Sequence, residues 1–323
     1  MRMYHVFLAC FMVATGAQAQ TSSWPDKPVR IVVSQPAGAA PDVIARLIAD
    51  SVGASLKQQV YIENRPGAAN IVGSQAVARA APDGYTFLFA TTAAIASNPF
   101  TFASLPYDPE KDFTPVAMIA RGPFFLLVHP SVKANNLSEL IALDKADPGK
   151  LSIATEGPRN FTGILAAWIN RLAGTHMVEV PYQTISQGIQ DAISGRVQVI
   201  NIPIVNAVPF IQSKELKPLA VSSLQPMPKF EDIPPIAGTL AGVDMIGWFA
   251  LVAPSGTPDA IVQRMNREVD RVLTTPEMKE RLLGFGFFTE GAETTKATGD
   301  YIRSQRETWG KVVKAIGLEP LQQ

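Results

Sequence analysis

The side chains able to act as nucleophiles, bases or metal ligands are few and scattered. The 323 residues include three histidines and one cysteine. His5 lies near the N-terminus, His129 follows an apolar run and precedes Pro130, and His176 precedes another apolar run. No histidine has a second one at metal-ligand spacing, and H-E-x-x-H is absent. The G-x-S-x-G turn that exposes a hydrolase serine is absent, as is the phosphate-cradling G-x-x-x-x-G-K-[ST] loop. Gly284-Phe285-Gly286 begins a G-x-G, but Thr289 stands at the third glycine's position, far from the first strand, and the segment reads as a turn. Glu231-Asp232 lies in Pro-rich sequence and reads as solvated. The sequence therefore reads as a binding protein, not an enzyme, and calls for no cofactor or metal.

What remains is chemistry for holding an anion. A β-branched run at 29–34 leads through the turn Gln35-Pro36-Ala37-Gly38-Ala39-Ala40 into a helix at 41–56, with Ile44, Leu47, Ile48 and Val52 on one face. The turn offers backbone N–H groups and the positive end of a helix dipole, which favours an anion by about 0.3–1 kcal/mol. Gly38 permits close approach of the backbone, and Asp42 is placed to satisfy N–H groups of the first turn. Arg159 is the other notable residue. It stands at the start of a helix predicted over 161–173, where a cation opposes the dipole and needs a negative partner. That partner is either a ligand carboxylate, held bidentately, or Glu156 three residues earlier.

These residues need elements to position them. Strands at 29–34, 59–63 and 85–90 alternate with helices at 41–56 and 71–80, an order that builds a parallel sheet with right-handed crossovers. Apolar strands follow at 113–120 and 124–128. A helix at 137–146, a strand at 151–155 and a helix at 161–173 come next, with Gly174 at the helix C-cap. The pattern continues with a strand at 177–180, a helix at 185–194, and strands at 197–202 and 216–222. A strand at 248–253 precedes Thr257-Pro258, where Thr257 caps and Pro258 opens a helix running through Val272. The last helix covers 296–316.

The fold class expected is α/β, two-lobed, each lobe a mainly parallel sheet flanked by helices. Residues 20–121 with 249–323 form the first lobe and residues 122–248 the second, inserted lobe, with crossings near 121–123 and 247–248. Arg121 reads as a surface charge at that hinge. A ligand between such lobes meets the carboxyl ends of strands and the N-termini of helices.

Composition narrows the class. Lys and Arg together number 28 and Asp and Glu 28, so no basic face for nucleic acid is implied. With 47% hydrophobic and 17% charged residues, the chain is not of a disordered type. Residues 1–19 read as a signal peptide: Arg2, an apolar run over 6–14, and Ala17-Gln18-Ala19 as the cleavage signal. Too little apolar sequence precedes Cys10 for a lipoprotein. Export to the periplasm would leave a soluble chain without cysteine, with 27 basic residues against 28 acidic ones and a net charge of −1.

Several segments together resemble one family. They are Trp24-Pro25 with Pro28-Val29-Arg30-Ile31-Val32-Val33, Asp42-Val43-Ile44-Ala45-Arg46-Leu47, Glu63-Asn64-Arg65-Pro66-Gly67-Ala68, and Ala80-Ala81-Pro82-Asp83-Gly84-Tyr85-Thr86. Leu105-Pro106-Tyr107-Asp108-Pro109, Val180-Pro181-Tyr182 and Ala253-Pro254-Ser255-Gly256-Thr257-Pro258 extend the match. The chain is similar from Trp24 onward to the Bug-type extracytoplasmic solute receptors, the substrate-binding proteins of tripartite tricarboxylate transporters. The resemblance implies a monomeric two-lobed periplasmic protein that closes on a small carboxylate and delivers it to membrane transporter subunits. A sensor subunit presenting its ligand to a signalling partner, or a periplasmic hydrolase, are the alternatives.

In the family, main-chain N–H groups of the loops after the first and third strands hold one ligand carboxylate. Carried to this chain, the positions are Gln35, Ala37, Gly38 and Ala39, then Thr91 and Thr92. The second lobe contributes Arg159, Asn160, Phe161 and Thr162, with Tyr182, Asn201 and Asn206 as further polar contacts. Phe161 offers a stacking face for an aromatic or alicyclic ligand. The chain departs from the family pattern at Gln35, at Glu156-Gly157-Pro158-Arg159, at Gln183 and at Ile202. With Arg159 at the far end, a dicarboxylate or an aromatic carboxylate is the ligand expected.

Overall fold

The computed structural model describes residues 24–322, so the predicted signal segment and its cleavage site lie outside the described residues. The first unit runs β1 (Val29–Val33), α1 (Ala40–Leu56), β2 (Val60–Asn64), α2 (Ile71–Ala78), β3 (Thr86–Thr91), α3 (Asn98–Thr101) and β4 (Phe113–Gly122). The chain then enters β5 (Phe124–Val128), α4 (Leu137–Ala146), β6 (Ser152–Thr155), α5 (Phe161–Ala173) and β7 (Val178–Pro181). Next come α6 (Ile185–Ile193), β8 (Val199–Pro203), α7 (Ile204–Gln212) and β9 (Lys217–Val221). It closes with β10 (Gly247–Pro254), α8 (Asp259–Leu273), α9 (Pro276–Gly284) and α10 (Thr295–Ile316).

Two five-stranded sheets result, ordered β2-β1-β3-β10-β4 and β7-β6-β8-β5-β9. In each, the first three strands are parallel and the fourth is antiparallel to both of its neighbours, so four of the five run one way. The antiparallel strand follows directly from the way the chain changes sheets. It leaves the first sheet by its fifth strand, β4, passes Pro123, and starts β5 of the second. It leaves the second sheet by its fifth strand, β9, and re-enters the first as β10. The sheets are thus mainly parallel, as expected.

Burial explains why the strands read so clearly. Val29, Val32, Val33, Phe87 and Leu88 are fully covered, as are Phe125, Leu126 and Leu127 in the second sheet. A strand flanked by helices on both faces needs apolar residues at every position, not at alternate ones. Helix α1 sets Ile44, Ala45, Ile48 and Val52 against the first sheet. Helix α10 packs against α5, β4 and the segment 93–97, so it touches both units.

Three stretches were not foreseen. Helix α7 starts directly after Pro203 and contains Pro209, two residues that ordinarily mark breaks. Pro209 lies on its exposed side, where its missing N–H interrupts one bond without burying an orphan carbonyl. Helix α9 has an ordinary start, with Thr275 accepting from the Met278 N–H at 3.3 Å and Pro276 in the first turn. The third is a wide helical turn, Ala93–Ser97, that runs into α3. Thr257 does not cap α8 as expected; its hydroxyl donates to the Pro254 carbonyl at 2.7 Å. Gly174 does take the left-handed C-cap position of α5.

Candidate functional site

The loops after β1, β3 and β6 face one another across a cleft of about 550 Å³, within the roughly 300–1,000 Å³ usual for small-molecule sites. On the first sheet's side the wall is neutral and polar: Gln35, Asn70, Thr92, Ser97, Asn98 and Thr101, with Ala69, Ala93 and Phe102. On the other side stand Glu156, Arg159, Asn160, Phe161 and Ile164. Trp309 of α10 and Leu321 of the C-terminal segment close one end.

The first wall is built by the segment Glu63–Asn70. Glu63 accepts from Arg30 at 2.7 Å and also from Arg65, which holds the end of β2 against β1. Asn64 donates to Asp42 at 2.8 Å and to the Gln35 carbonyl at 3.1 Å, bracing the loop after β1. Ala68, Ala69 and Asn70 then adopt positive φ in succession, at 45°, 50° and 76°. Such backbone is disfavoured for residues with a Cβ and persists only where surroundings enforce it. Here Asn98 donates to the Ala69 carbonyl at 2.8 Å, and the Asn70 side-chain oxygen accepts from Ser34 at 3.1 Å and Gln35 at 2.6 Å. Tyr107 donates to the Ala94 carbonyl at 2.6 Å and fixes the loop after β3.

Much of the expected hydrogen-bonding capacity of this wall is already in use. The Gly38 N–H donates to Asp42 at 2.8 Å, and the Ala39 N–H to the Pro36 carbonyl at 3.2 Å. Asp42 therefore serves the loop ahead of the helix rather than the first-turn N–H groups expected. Burial pushes its carboxyl up, but Arg46, the Gly38 N–H and Asn64 outweigh this and hold it below the usual aspartate value. The Thr91 hydroxyl accepts from the Ala94 N–H at 3.2 Å. The Thr92 hydroxyl accepts from the Trp248 N–H at 2.8 Å and donates to the Trp248 carbonyl at 3.3 Å, tying β3 to the returning strand.

The second wall is a rigid loop with charged side chains. Gly157, at φ 107°, makes the turn. The Glu156 N–H donates to Thr162 Oγ1 at 2.8 Å, and Asn160 donates to the Glu156 carbonyl at 2.6 Å. A Cβ at Gly163 would run into the Gly157 carbonyl oxygen, so the loop sits directly on the first turn of α5. Arg159 does not pair with Glu156. Its Nη1 donates to the Glu319 carbonyl at 2.6 Å, which links α5 to the C-terminal segment. Desolvation pushes the Glu156 carboxyl above the usual glutamate value, although the residue is open to the cleft. Phe161 stacks on Phe124 with ring centres 4.0 Å apart and meets Trp309 edge-on at 5.4 Å, so one of its faces is already covered.

Of the positions expected from sequence, Gln35, Thr92, Arg159, Asn160 and Phe161 come together on the cleft wall. Ala37, Gly38, Ala39, Thr91 and Thr162 lie in the supporting loops but not on that wall. Tyr182 donates to Asp191 at 2.9 Å, and with its ring desolvated and Asp191 beside it the phenol is pushed up to about 12. Asn201 is fully buried and donates to the Thr162 carbonyl at 2.9 Å, with Oδ1 unpaired; Asn206 is half-buried on α7. Arg121 is not the surface charge expected: it forms a half-buried ion pair with Glu293 at 2.7 Å and lies 4.3 Å over the Tyr301 ring. The sequence reading missed Asn70, Ser97, Asn98, Trp309 and Leu321. Asn70 follows directly on the Glu63–Ala68 motif and was within reach; Trp309 and Leu321 carry no local signal.

The model of the tripartite tricarboxylate transporter family receptor matches residues 44–318. The chain belongs to this family. Its similarity to the protein BugT of Bordetella pertussis is 30% identity over 323 residues, covering 97% of this chain and 96% of BugT. Among solved structures, Rpa4515 of R. palustris with adipate is 29% identical with a TM-score of 0.76, covering 92% of this chain and all of that one. MatC of Rhodopseudomonas palustris with bound malate is also 29% identical, with a TM-score of 0.72 over 90% of this chain and all of MatC. The family is one of transporter receptors, and a further solved neighbour, the periplasmic binding protein BugD, is 26% identical with a TM-score of 0.73. Among the described residues of this receptor, no helix is long and apolar enough to cross a membrane, and no group of three His, Cys, Asp or Glu is placed to hold a metal ion.

Proposed function

We propose that the chain is an exported periplasmic receptor that captures a small carboxylate, either a dicarboxylate or an aromatic carboxylate. It acts as a monomer and delivers the ligand to the membrane subunits of a tripartite tricarboxylate-type transporter. The observation that carries this reading is the cleft between the two sheets, neutral and polar on one wall and holding Arg159 on the other. One ligand carboxylate sits against the side-chain amides of Gln35 and Asn70 and the main chain of the β1 and β3 loops, beside Thr92 and Asn98. The remainder reaches Arg159, Asn160 and Phe161. The supporting loops, Ala37–Ala39, Thr91 and Thr162 among them, act by holding these groups in place, and Tyr182, Asn201 and Asn206 are contacts only in a more closed form. The lobes are 20–121 with 249–323, and 122–248. They hinge at Pro123 and before Trp248, and ligand stabilises the closed form by its higher affinity for it. The carboxylates in the adipate and malate structures support this ligand class.

The test is thermal unfolding of the mature protein, refolded to remove carried-over ligand, against mono-, di- and tricarboxylates and aromatic acids. A ligand at about one hundred times its dissociation constant adds about 2.7 kcal/mol, a rise of several degrees. No rise with any of these carboxylates would overturn the ligand class.

A further inference from the structure

The far wall of the cleft holds a negative charge that an anion receptor does not need for its near carboxylate. Among the described residues, the Glu156 carboxylate makes no hydrogen bond and no ion pair, although its own main chain is bonded on both sides. Its side chain is exposed to the cleft, but the backbone that carries it is fixed, because the turn at Gly157 is seated on Gly163. Its charged neighbours do not neutralise it. Arg159 is engaged with the Glu319 carbonyl, and Glu179 on β7 lies behind the same loop, accepting from Thr155 at 2.6 Å. On the wall itself, Glu156 is the carboxylate that stands beside the Arg159 guanidinium.

We propose that Glu156 is a specificity-determining residue that requires a hydrogen-bond donor on the far end of the ligand. That donor is a hydroxyl, an ammonium, or a carboxyl that keeps its proton. The inference rests on the carboxylate-receptor reading above and states which carboxylates the cleft selects. An ionised carboxylate only accepts hydrogen bonds, so two of them facing each other offer repulsion and no bond. A donor facing Glu156 forms a charge-assisted bond instead. The remaining N–H groups of Arg159, three residues along, serve an acceptor on the same ligand group. A hydroxyl or a protonated carboxyl satisfies both side chains at once, whereas a fully ionised diacid satisfies only Arg159.

The test is calorimetric titration of the refolded mature protein and of Glu156→Gln with matched acids at about pH 8, where simple diacids are fully ionised. One set is hexanoate, 6-hydroxyhexanoate, 6-aminohexanoate and adipate; the other is benzoate, 4-hydroxybenzoate and terephthalate. In the wild type, 6-hydroxyhexanoate and 6-aminohexanoate in the first set and 4-hydroxybenzoate in the second bind about tenfold or more tighter than the diacid of their set. Glu156→Gln reverses the order, weakening the amino acid and strengthening the diacid by a similar factor. A wild type that prefers the diacid, or an order unchanged in Glu156→Gln, overturns the role of Glu156 and leaves the receptor reading standing. If no member of either set binds while another carboxylate stabilises the protein against unfolding, the role of Glu156 falls alone; if no carboxylate does, the receptor reading falls with it.

Discussion

The loops after β1 and β6 occupy the same place in two sheets of the same strand order, yet they are built on opposite principles. Each follows the second strand of its sheet, contains one proline and one positive-φ glycine, and leads into a helix. In the first, an acid sits inside the loop: Asp42 is 2% exposed and ties Gly38, Asn64 and Arg46 together. In the second, the acid sits outside it: hydroxyl and amide groups of Thr162 and Asn160 hold the backbone, and Glu156 is left to face the cleft. An acid used as a brace is no longer available to a ligand, while a loop braced by neutral groups can present its charge.

Asp42→Ala should break that contrast most severely. It leaves the exposed Arg46 guanidinium, an amide and an N–H without their common acceptor, and should cost about 2–3 kcal/mol in urea unfolding, mostly from the amide and the N–H. Arg159→Ala should leave folding nearly unchanged but weaken carboxylate binding by about 2–5 kcal/mol in titration. A loss below about 0.5 kcal/mol would remove Arg159 from the site. Gly163→Ala should cost about 2 kcal/mol, because the new Cβ must displace the Gly157 carbonyl, and should weaken ligand binding by shifting Glu156 and Arg159 together. An alanine variant with native stability would show that the loop is not held by α5.

The smallest effects separate the two acids by pH. The Asp42 carboxyl is held low by Arg46, Gly38 and Asn64 against its burial. Its contribution is complete above the ordinary aspartate range and disappears as pH falls through its lowered folded value, so wild type and Asp42→Asn should converge below about pH 4. The Glu156 carboxyl is pushed up by desolvation. Folding favours its neutral form, a contribution complete below the ordinary glutamate range, about pH 4, and lost as pH rises through the raised folded value. Glu156→Gln should therefore match wild type in acid and gain a little stability at neutral pH, within about 0.5 kcal/mol. Melting curves across pH check both, and parallel curves for the two pairs would erase the distinction.

The strands and most helices were legible because a strand buried on both faces must be apolar throughout, as Val29–Val33 and Phe124–Val128 are. Helix α7 was hidden by Pro203 and Pro209, since proline's local meaning is a break unless the outer face can absorb it. Part of the cleft was legible through residue types at loop positions: Gln35, Thr92, Arg159, Asn160 and Phe161. Asn70, Trp309 and Leu321 were not, because they come from segments that neither precede nor follow those loops.

By itself the sequence determined the elements, their βαβ order, the scarcity of catalytic groups and the placing of Arg159 at a helix start. Each of these depends on a residue and its near neighbours. Tertiary structure alone decided which polar groups are free. The Gly38 N–H is bound by Asp42, the Thr92 hydroxyl by Trp248 from 156 positions away, and Arg159 by the Glu319 carbonyl from 160 positions away, while Glu156 faces the cleft unpaired. Hydrogen-bonding capacity is finite for each group, so what a side chain can offer a ligand is what its folded neighbours leave over.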